Sequence, residues 1–400
     1  MTQPSRKKVL ITGVTGQDGS YMADYLLANT DHVIYGMVRR TAKPDYANMA
    51  SALKHPDRFK TIIGDLSDST SIDNVVKEIL PDYFINLAAQ SFVGSSWTLP
   101  EQTIDVTGLG VVRCLEAIRK HVPKCRFYSA GSSEQHGDVA YSPQDEKHPQ
   151  RPRSPYGAAK CLASHVVKVY RESYGLYAVH GILFNHESER RGEEFVTRKI
   201  TLGVARIAKG LRDRASLPLP APIELGNLDA KRDWSHAEDF VDGIWRMLNQ
   251  DYFSHKASVK TNKEWVNTYG AGAGDWQDML TKHLSEYVLA SGETHTIRSF
   301  VEKAFAAAGI YGVWSNMSPT GDPKGWEYLK SDYAGSSLAC KLYIPLVRVN
   351  SSFYRPADVE LLQGDSSLAR NELGWSPRVS FDELITRMVR NDCAAQGIII

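Results

Sequence analysis

A glycine-rich turn near the amino terminus constrains the fold of this chain more than any other feature. The stretch VLITGVTGQDGSY places Gly13, Gly16 and Gly19 after a short apolar strand and at the start of a helical pattern. The strand must turn sharply, the backbone must approach a pyrophosphate, and the helix must pack on the strand. Each of these tasks favours a residue without a side chain. The motif therefore predicts a dinucleotide-binding turn at a helix N-terminus, with Gln17 and Asp18 beside the cofactor.

The rest of the first half alternates short β-rich runs with helical patterns. Six predicted strands are nearly continuous in apolar residues, at 9–12, 33–38, 60–64, 83–88, 126–130 and 177–184. Four predicted helices lie between most of them, at 21–28, 71–79, 106–120 and 156–173. This alternation indicates a doubly wound parallel sheet covered on both faces. We therefore predict a Rossmann-type α/β domain over residues 1–184.

The alternation breaks after residue 184. Loops lengthen, and amphipathic helices are predicted only at 238–248, 296–308 and 381–390. We predict that residues 185–400 form a smaller, mixed α/β substrate domain, with some segments returning to the first domain. An insertion is predicted near residues 254–284, which we expect to be a surface elaboration.

Composition excludes several classes of protein. Among 400 residues the charged side chains nearly cancel, with a formal net charge of +1. Binding to a nucleic-acid backbone would favour a strongly basic surface. The polar opening MTQPSRKK and the short apolar run after it predict neither a signal peptide nor a membrane span. We expect a soluble, cytoplasmic protein without a metal site, since neither cysteines nor histidines show metal-ligand spacing.

The end of the second predicted strand indicates which dinucleotide is bound. NAD sites commonly place an acidic residue there to hold the ribose 2′-hydroxyl, whereas this chain places Arg39 and Arg40. Two guanidinium groups suit a 2′-phosphate, which favours NADP over NAD. Asp65, after the third strand, has two interpretations: it binds the adenine amino group, or it caps the next helix. The same cofactor site is assigned the strand-end residues Leu66, Leu87, Ala88 and Ala89.

The segment SPYGAAK carries a second motif, Tyr156 and Lys160. Four residues apart on a helix, the two side chains share one face. A lysine ammonium lowers the pKa of a nearby tyrosine from about 10, so that its phenolate can act as a base. The pattern resembles the extended short-chain dehydrogenase/reductase superfamily, in which a Ser or Thr after the fifth strand completes the site. AGSSEQHG supplies Ser132 here, with Ser133 assigned to the substrate.

Glu134 in the same segment indicates the reaction. Once carbon 4 of a hexose is a ketone, the proton on carbon 5 becomes acidic, and a carboxylate can take it while water leaves from carbon 6. Glu134 is suited to be that base, and Ser132 to donate to the departing hydroxyl. Sugar-nucleotide decarboxylases also carry a serine–glutamate pair here, so the pair alone leaves the reaction open.

Further segments narrow the choice. The stretches GMVRRT, NLAAQS, FNHESERRGEEFVTRKIT, LGNLDAKRDW and FYRPADVELLQGD resemble the GDP-mannose 4,6-dehydratase family. The resemblance implies bound NADP, GDP-mannose as substrate, GDP-4-keto-6-deoxy-mannose as product and a homo-oligomer, either a dimer or a tetramer. It assigns to the cofactor His186 and Arg191. The alternative for Arg191 is a contact with a neighbouring subunit, and the alternative for His186 is a structural hydrogen bond. It assigns to the nucleotide sugar Ser91, Asn185, Lys199, Arg232, Arg355 and Glu360.

Several positions depart from the family pattern. Ser132 replaces a usual Thr and keeps the hydroxyl, Gln135 and His136 replace an apolar–Tyr pair, and Phe92 replaces a usual His. These changes leave open a dehydratase for another GDP-sugar, such as a GDP-heptose. A non-catalytic NADP-binding sensor is a third hypothesis. The intact set of Ser132, Glu134, Tyr156 and Lys160 argues against the sensor.

Overall fold

The computed structural model describes residues 6–212, 220–250, 284–315, 327–330, 344–354, 359 and 361–400. The predicted insertion near 254–284 lies almost wholly outside the described residues. The chain divides into two compact units. The first unit comprises residues 1–186, 235–293 and 362–378, and the second comprises residues 187–234, 294–361 and 379–400. The functional division between residues 184 and 185 stays a prediction.

A seven-stranded sheet, parallel throughout, forms the centre of the first unit. Its order is β11-β6-β5-β4-β1-β2-β3. The strands are β1 (Lys8–Thr12), β2 (Val33–Val38), β3 (Phe59–Ile63), β4 (Tyr83–Asn86), β5 (Arg126–Ala130), β6 (Ala178–Leu183) and β11 (Tyr287–Leu289). The strand order reverses between β1 and β4, which is where open α/β sheets bind their ligands.

Helices cover both faces of this sheet, as the apolar strands predicted. The helices are α1 (Gln17–Asn29), α2 (Ser69–Ile79), α3 (Val93–Ser96), α4 (Pro100–Ile104), α5 (Gly110–His121), α6 (Pro155–Tyr174), α8 (Ala237–Leu248) and α10 (Ser367–Leu373). Successive residues of β1 point to opposite faces. Ile11 therefore packs in one apolar cluster with α1 and α8, and Leu10 in another with α2, α5 and α6.

The second unit has its own apolar core and a four-stranded mixed sheet in the order β13-β14-β15-β8. Those strands are β8 (Ile223–Leu225), β13 (Gly312–Ser315), β14 (Glu327–Lys330) and β15 (Ile344–Val349). Its helices are α7 (Val196–Arg212), α9 (Ile297–Ala307) and α11 (Phe381–Ala395). The short strands of the chain are β7 (Asn185–Glu187), β9 (Lys231–Arg232), β10 (Trp234–His236), β12 (His295–Thr296) and β16 (Leu361–Leu362).

The sequence analysis missed one helix, and another helix begins later than predicted. The 17-residue helix α7 was not predicted, because its start is hidden in the polar motif FNHESERRGEEFVTRKIT. The helix predicted at 106–120 begins as α5 only at Gly110, since residues Asp105–Leu109 form a π-helical turn. Within the described residues, every helix is too short or too polar to cross a lipid bilayer.

The central strand provides a test of this packing. Leu10 is fully buried between β2 and β4, so Leu10→Ala removes methyl groups from a closed core and leaves a cavity. We expect the free energy of unfolding to fall by about 2–5 kcal/mol in urea titrations. Ile63→Ala is the control, because Ile63 is 63% exposed on the edge strand β3. A loss as large in the control as in Leu10→Ala would contradict this account.

Candidate active site

The glycine turn places backbone against backbone. Gly13 has a φ of +70°, and a Cβ there would lie 2.8 Å from the backbone nitrogen of Ala88. A Cβ on Gly19 would lie 2.2 Å from the carbonyl oxygen of Gly13. The helix α1 begins after Gly16, which makes no side-chain capping hydrogen bond. The structure therefore places a helix N-terminus directly after the glycine turn, as the motif predicted.

A threonine that the sequence motif did not predict joins the ends of β1 and β4 beside the glycine turn. Thr12 donates its hydroxyl to the Asn86 side chain at 2.6 Å. Its oxygen accepts the backbone N–H groups of Leu87 and Ala88, at 3.2 and 3.1 Å. Leu87, Ala88 and the half-buried Ala89 are thereby held at the carboxyl end of β4, beside the glycine turn. A threonine that ends a strand carries no distinctive sequence signal.

The start of α1 is tied to His186. The Gln17 carboxamide donates to the His186 carbonyl at 3.0 Å, and Asp18 lies 2.9 Å from the His186 ring nitrogen Nε2. The other ring nitrogen is 2.7 Å from the carbonyl oxygen of Phe184, and the ring stacks on Phe240. His186 is therefore held in place beside the predicted cofactor turn.

A pocket of about 460 Å³ opens beyond the end of β2. Arg39 and Arg40 line it, both exposed, together with Asp65. Thr15, Thr41, Pro44, Asp45 and Tyr46 complete much of the wall. Two cations in a cleft next to a dinucleotide turn form a suitable site for a phosphate. The loop residues were not predicted, because nothing in their pattern marks them as pocket walls.

The structure resolves the two interpretations of Asp65 in part. Asp65 does not cap α2; Asp68 does, by accepting the backbone N–H of Thr70. Asp65 instead accepts hydrogen bonds from the backbone and hydroxyl of Ser67. Partial burial acts to raise its pKa, but those hydrogen bonds and the charge of Arg39 outweigh burial and lower it. The carboxylate is therefore charged at the pocket wall, and the neighbouring Leu66 is buried.

The carboxyl end of β5 carries the predicted serine and glutamate. Ser132 adopts an extended conformation and caps a short 3₁₀ helix, Ser133–Gln135. Its hydroxyl accepts the backbone N–H of Glu134 at 3.3 Å, and its own N–H donates to the Gln135 side chain at 2.9 Å. Ser133 is buried, whereas Ser132 and Glu134 are half-buried. The turn thus presents a hydroxyl and a carboxylate two residues apart.

The helix α6 brings Tyr156 and Lys160 to the same strand end. A Cβ on Gly157 would lie 2.6 Å from the Glu134 carbonyl oxygen, so the first turn of α6 packs directly on the serine–glutamate turn. Lys160 donates to the Ala130 carbonyl at 2.6 Å, and its ammonium lies 5.6 Å from the centre of the Tyr156 ring. Burial lowers the pKa of Lys160 to about 8, although the charge of Asp18 acts in the opposite direction.

The remaining predicted residues fall into three groups. Asn185 has a buried side-chain oxygen that accepts no hydrogen bond from the described part of the chain, whereas Ser91 is exposed. In the second unit, Lys199 lies 3.7 Å from the Phe353 ring centre, and Arg232 is half-buried on β9. Arg355 and Glu360 lie outside the described residues.

Arg191, also in the second unit, is held by its neighbours. Its Nε lies 3.1 Å from a Glu187 carboxylate oxygen, and its guanidinium stacks 3.5 Å from the Phe195 ring centre. Glu187 also accepts the Thr197 hydroxyl at 2.6 Å. Among the described residues, no group of three His, Cys, Asp or Glu side chains could hold a metal ion.

The doubly wound parallel sheet, the glycine turn and the Tyr156–Lys160 helix define an extended short-chain dehydrogenase/reductase. A family model described as GDP-mannose 4,6 dehydratase matches residues 10–277 and 271–388. The chain therefore belongs to the GDP-mannose 4,6-dehydratase family. It is 40% identical to the enzyme of that name from Cricetulus griseus, over 97% of this chain and 91% of that protein. It is 39% identical to the Vibrio cholerae enzyme, over 97% and 94%.

Solved structures of low identity share the fold. RMD from Pseudomonas aeruginosa, in complex with NADPH, is 18% identical with a TM-score of 0.66, over 97% of this chain and 99% of that one. A dTDP-glucose 4,6-dehydratase from Streptomyces venezuelae, with NAD and TYD bound, is 19% identical with a TM-score of 0.69, over 98% of both chains.

Burial of Lys160, which we expect activity to require, should lower the stability of the folded chain. Below pH 8 the folded chain must hold a buried ammonium that the unfolded chain exposes to water. Its pKa of about 8 in place of 10.5 corresponds to a cost of about 3 kcal/mol. We therefore expect Lys160→Met to raise the free energy of unfolding at pH 7 by about 1–3 kcal/mol, after the lost hydrogen bond to Ala130 is deducted.

Urea titrations at two pH values test this sign. As the pH rises from 8 towards 10.5, the folded lysine loses its charge while the unfolded lysine keeps it. The cost therefore shrinks, and the advantage of Lys160→Met should be small at pH 10. An advantage that does not change between pH 7 and pH 10 would show that the ammonium is not the cause.

Proposed function

We propose that this chain dehydrates GDP-mannose to GDP-4-keto-6-deoxy-mannose with a bound nicotinamide cofactor, specifically NADP. The observation that carries the proposal is the convergence of Ser132, Glu134 and Lys160 at the end of β5, with Tyr156 one helical turn from the lysine. Membership of the GDP-mannose 4,6-dehydratase family supports the substrate. A sensor that only binds a cofactor has no need of all four side chains.

The cradle suits a dinucleotide. Gly13 and Gly19 keep open the space that a side chain would fill, and the positive end of the α1 dipole faces this space. Arg39 and Arg40 offer charge to a 2′-phosphate. When bound, the nicotinamide would supply the hydride acceptor for oxidation at carbon 4 and the hydride donor for reduction at carbon 6. We assign His186 to orienting the start of α1, and Arg191 to the cofactor.

The side chains have distinct roles in the proposed reaction. Tyr156, as its phenolate, takes the proton of the carbon 4 hydroxyl and becomes a neutral phenol, and Lys160 stabilises the phenolate before that transfer. Glu134 takes the proton from carbon 5, which the new ketone has made acidic. Ser132 donates a hydrogen bond to the carbon 6 hydroxyl, which leaves as water with the proton that Glu134 took from carbon 5. The proton that Tyr156 took balances the one that carbon 5 regains when carbon 6 receives the hydride.

The nucleotide part of the substrate requires positive charge. We assign Lys199 and Arg232 to the diphosphate, because a buried diphosphate needs charge-assisted donors. Partial burial lowers the pKa of Lys199, which makes its ammonium sensitive to an anionic partner. Asn185 offers an acceptor to a substrate hydroxyl. Ser91, Ser133, Arg355 and Glu360 stay assigned to the substrate by the family resemblance.

Burial of two residues weakens the case for a GDP-heptose substrate. That case depended on Phe92, Gln135 and His136. Gln135 and His136 are fully buried, so their side chains pack against protein. Only Phe92 is half-exposed. We retain GDP-mannose as the substrate. A homo-oligomer remains part of the proposal, supported by exposed apolar side chains at Trp97, Leu99, Ile104 and Leu109.

The arginine pocket predicts cofactor preference. Arg39→Ala and Arg40→Ala each remove a cation that a 2′-phosphate would bind. We expect NADP affinity, measured by calorimetry, to fall about 10- to 100-fold, while NAD affinity changes by less than about threefold. Lys43→Ala is the control, because Lys43 is an exposed cation of the same loop outside the pocket wall. An equal loss for NAD and NADP would argue against a 2′-phosphate site.

An isotope experiment tests the reaction. GDP-mannose deuterated at carbon 4, incubated with the purified protein and no added cofactor, should yield product with deuterium at carbon 6, detected by NMR. Glu134→Gln should reduce water loss by at least about 100-fold, since the carbon 5 base is gone, while NADP binding is retained. Product without deuterium at carbon 6 would contradict an internal hydride transfer. Near-normal turnover of Glu134→Gln would show that another group is the base.

A further inference from the structure

The turn that carries Ser132 and Glu134, called the catalytic turn below, ends at a glutamine whose side chain is directed into the protein interior. The Gln135 side chain is fully buried, and its oxygen Oε1 accepts the backbone N–H of Ser132 at 2.9 Å. That N–H fixes which end of the carboxamide faces the turn. The same oxygen lies 2.9 Å from Nε2 of His180. Because a carboxamide oxygen can only accept, Nε2 of His180 must carry the proton and donate it.

His180 reaches the turn from the neighbouring strand. It lies on β6 opposite Ser129 of β5, and it is fully buried. Burial, helped by the charges of Lys160 and Arg171, lowers the pKa of His180 to about 3. The imidazole is therefore neutral at any pH near 7, and its hydrogen bond to Gln135 does not change with pH in that range.

The backbone between β5 and the catalytic turn is held at three successive residues. Lys160 donates to the carbonyl of Ala130 at 2.6 Å, Gly131 donates to the Gly181 carbonyl at 2.8 Å, and Ser132 donates to Gln135. A Cβ on Gly131 would lie 2.4 Å from Nε2 of His180. The side chains of Gln135 and His180 therefore pack directly against this backbone.

Packing alone does not account for this pair. The Gln135 amide nitrogen and His180 Nδ1 are buried and find no hydrogen-bond partner in the described ranges. Buried polar atoms without partners are unfavourable, and an apolar residue at 135 would avoid one of them. What the glutamine supplies in return is an acceptor for the N–H of Ser132, oriented by His180.

We propose that Gln135 and His180 are positioning residues for the elimination of water, acting by holding the turn that carries Ser132 and Glu134. The inference rests on the proposed function, because it assigns those two side chains to the elimination. Tyr156 and Lys160 stand on α6 and serve the earlier oxidation at carbon 4. Loss of Gln135 should therefore slow elimination more than oxidation, and the 4-keto hexose that still carries its carbon 6 hydroxyl should accumulate.

The test follows the distribution of intermediates as well as the overall rate. Gln135→Leu should lower kcat for GDP-mannose about 10- to 100-fold while KM stays within about threefold. Samples quenched during turnover and reduced with borodeuteride should contain a hexose labelled at carbon 4 that retains oxygen at carbon 6, quantified by mass spectrometry. As a single substitution, His180→Phe should lower kcat about three- to tenfold. In the double variant with Gln135→Leu it should lower kcat little further, because His180 acts through Gln135.

A matched control separates positioning from loss of packing. Gln250 is also buried, and its side chain accepts the N–H of Ser285 at 2.7 Å. Ser285 precedes β11, so it lies at the amino-terminal end of the parallel sheet, opposite the catalytic end. Gln250→Leu should lower the melting temperature without raising the fraction of 4-keto hexose.

The outcomes distinguish this inference from the function on which it rests. Slower turnover of Gln135→Leu without accumulation of the 4-keto hexose that retains its carbon 6 hydroxyl would overturn the inference. Equal accumulation of that intermediate in Gln250→Leu would also overturn it. If Gln135→Leu does not fold, His180→Phe alone decides by the same criterion. A native chain that yields no 4-keto-6-deoxy product from GDP-mannose would instead overturn the proposed function.

Discussion

Parallel pairing in the central sheet is the interaction on which the rest of the structure depends. Because β1 pairs with β4 and β4 with β5, all in parallel, their carboxyl ends meet at one edge. Gly13, Ala88 and Ser132 each follow the end of one of these strands, so residues about 120 positions apart in the chain lie at the same edge of the sheet. The Thr12 hydroxyl then joins the ends of β1 and β4 through backbone N–H groups. The chemistry that we propose is possible because strand register, and not chain proximity, assembles the site.

The candidate site contains buried polar and charged groups whose burial is energetically unfavourable. Lys160 is buried with a lowered pKa, and the neutral pair of Gln135 and His180 includes polar atoms without partners in the part of the chain that the structure describes. Such arrangements destabilise a fold unless large apolar cores compensate for them. Here two clusters sandwich the central sheet, around Ile11 on one face and Leu10 on the other. These apolar cores therefore offset the cost of the turn that carries Ser132 and Glu134, which we propose to be catalytic.

Much of the fold was predictable, because its signals are local. Each of the six predicted strands overlaps an observed one, and their apolar character indicated a sheet covered on both faces. The helix α7 was missed because its first turn lies in a polar functional motif, where periodicity is weak. Asp65 was open as a helix cap because the pattern GDLSD contains two aspartates, and only the path of the backbone selects Asp68. The seventh strand, β11, has just three residues and joins the sheet beside β6, far from it in sequence.

By itself the sequence determined the glycine turn, the arginines after β2 and the set of Ser132, Glu134, Tyr156 and Lys160. These motifs are short-range patterns, since each constraint acts within one turn or one helix face. Only the tertiary structure decided that Thr12 joins two strand ends, that loop residues such as Tyr46 wall the arginine pocket, and that His180 orients Gln135. Those relations join residues on different elements, and the register of a sheet and the burial of a side chain are set by packing of the whole unit. A hydrogen bond between neighbouring strands leaves no spacing in the sequence from which it could be read.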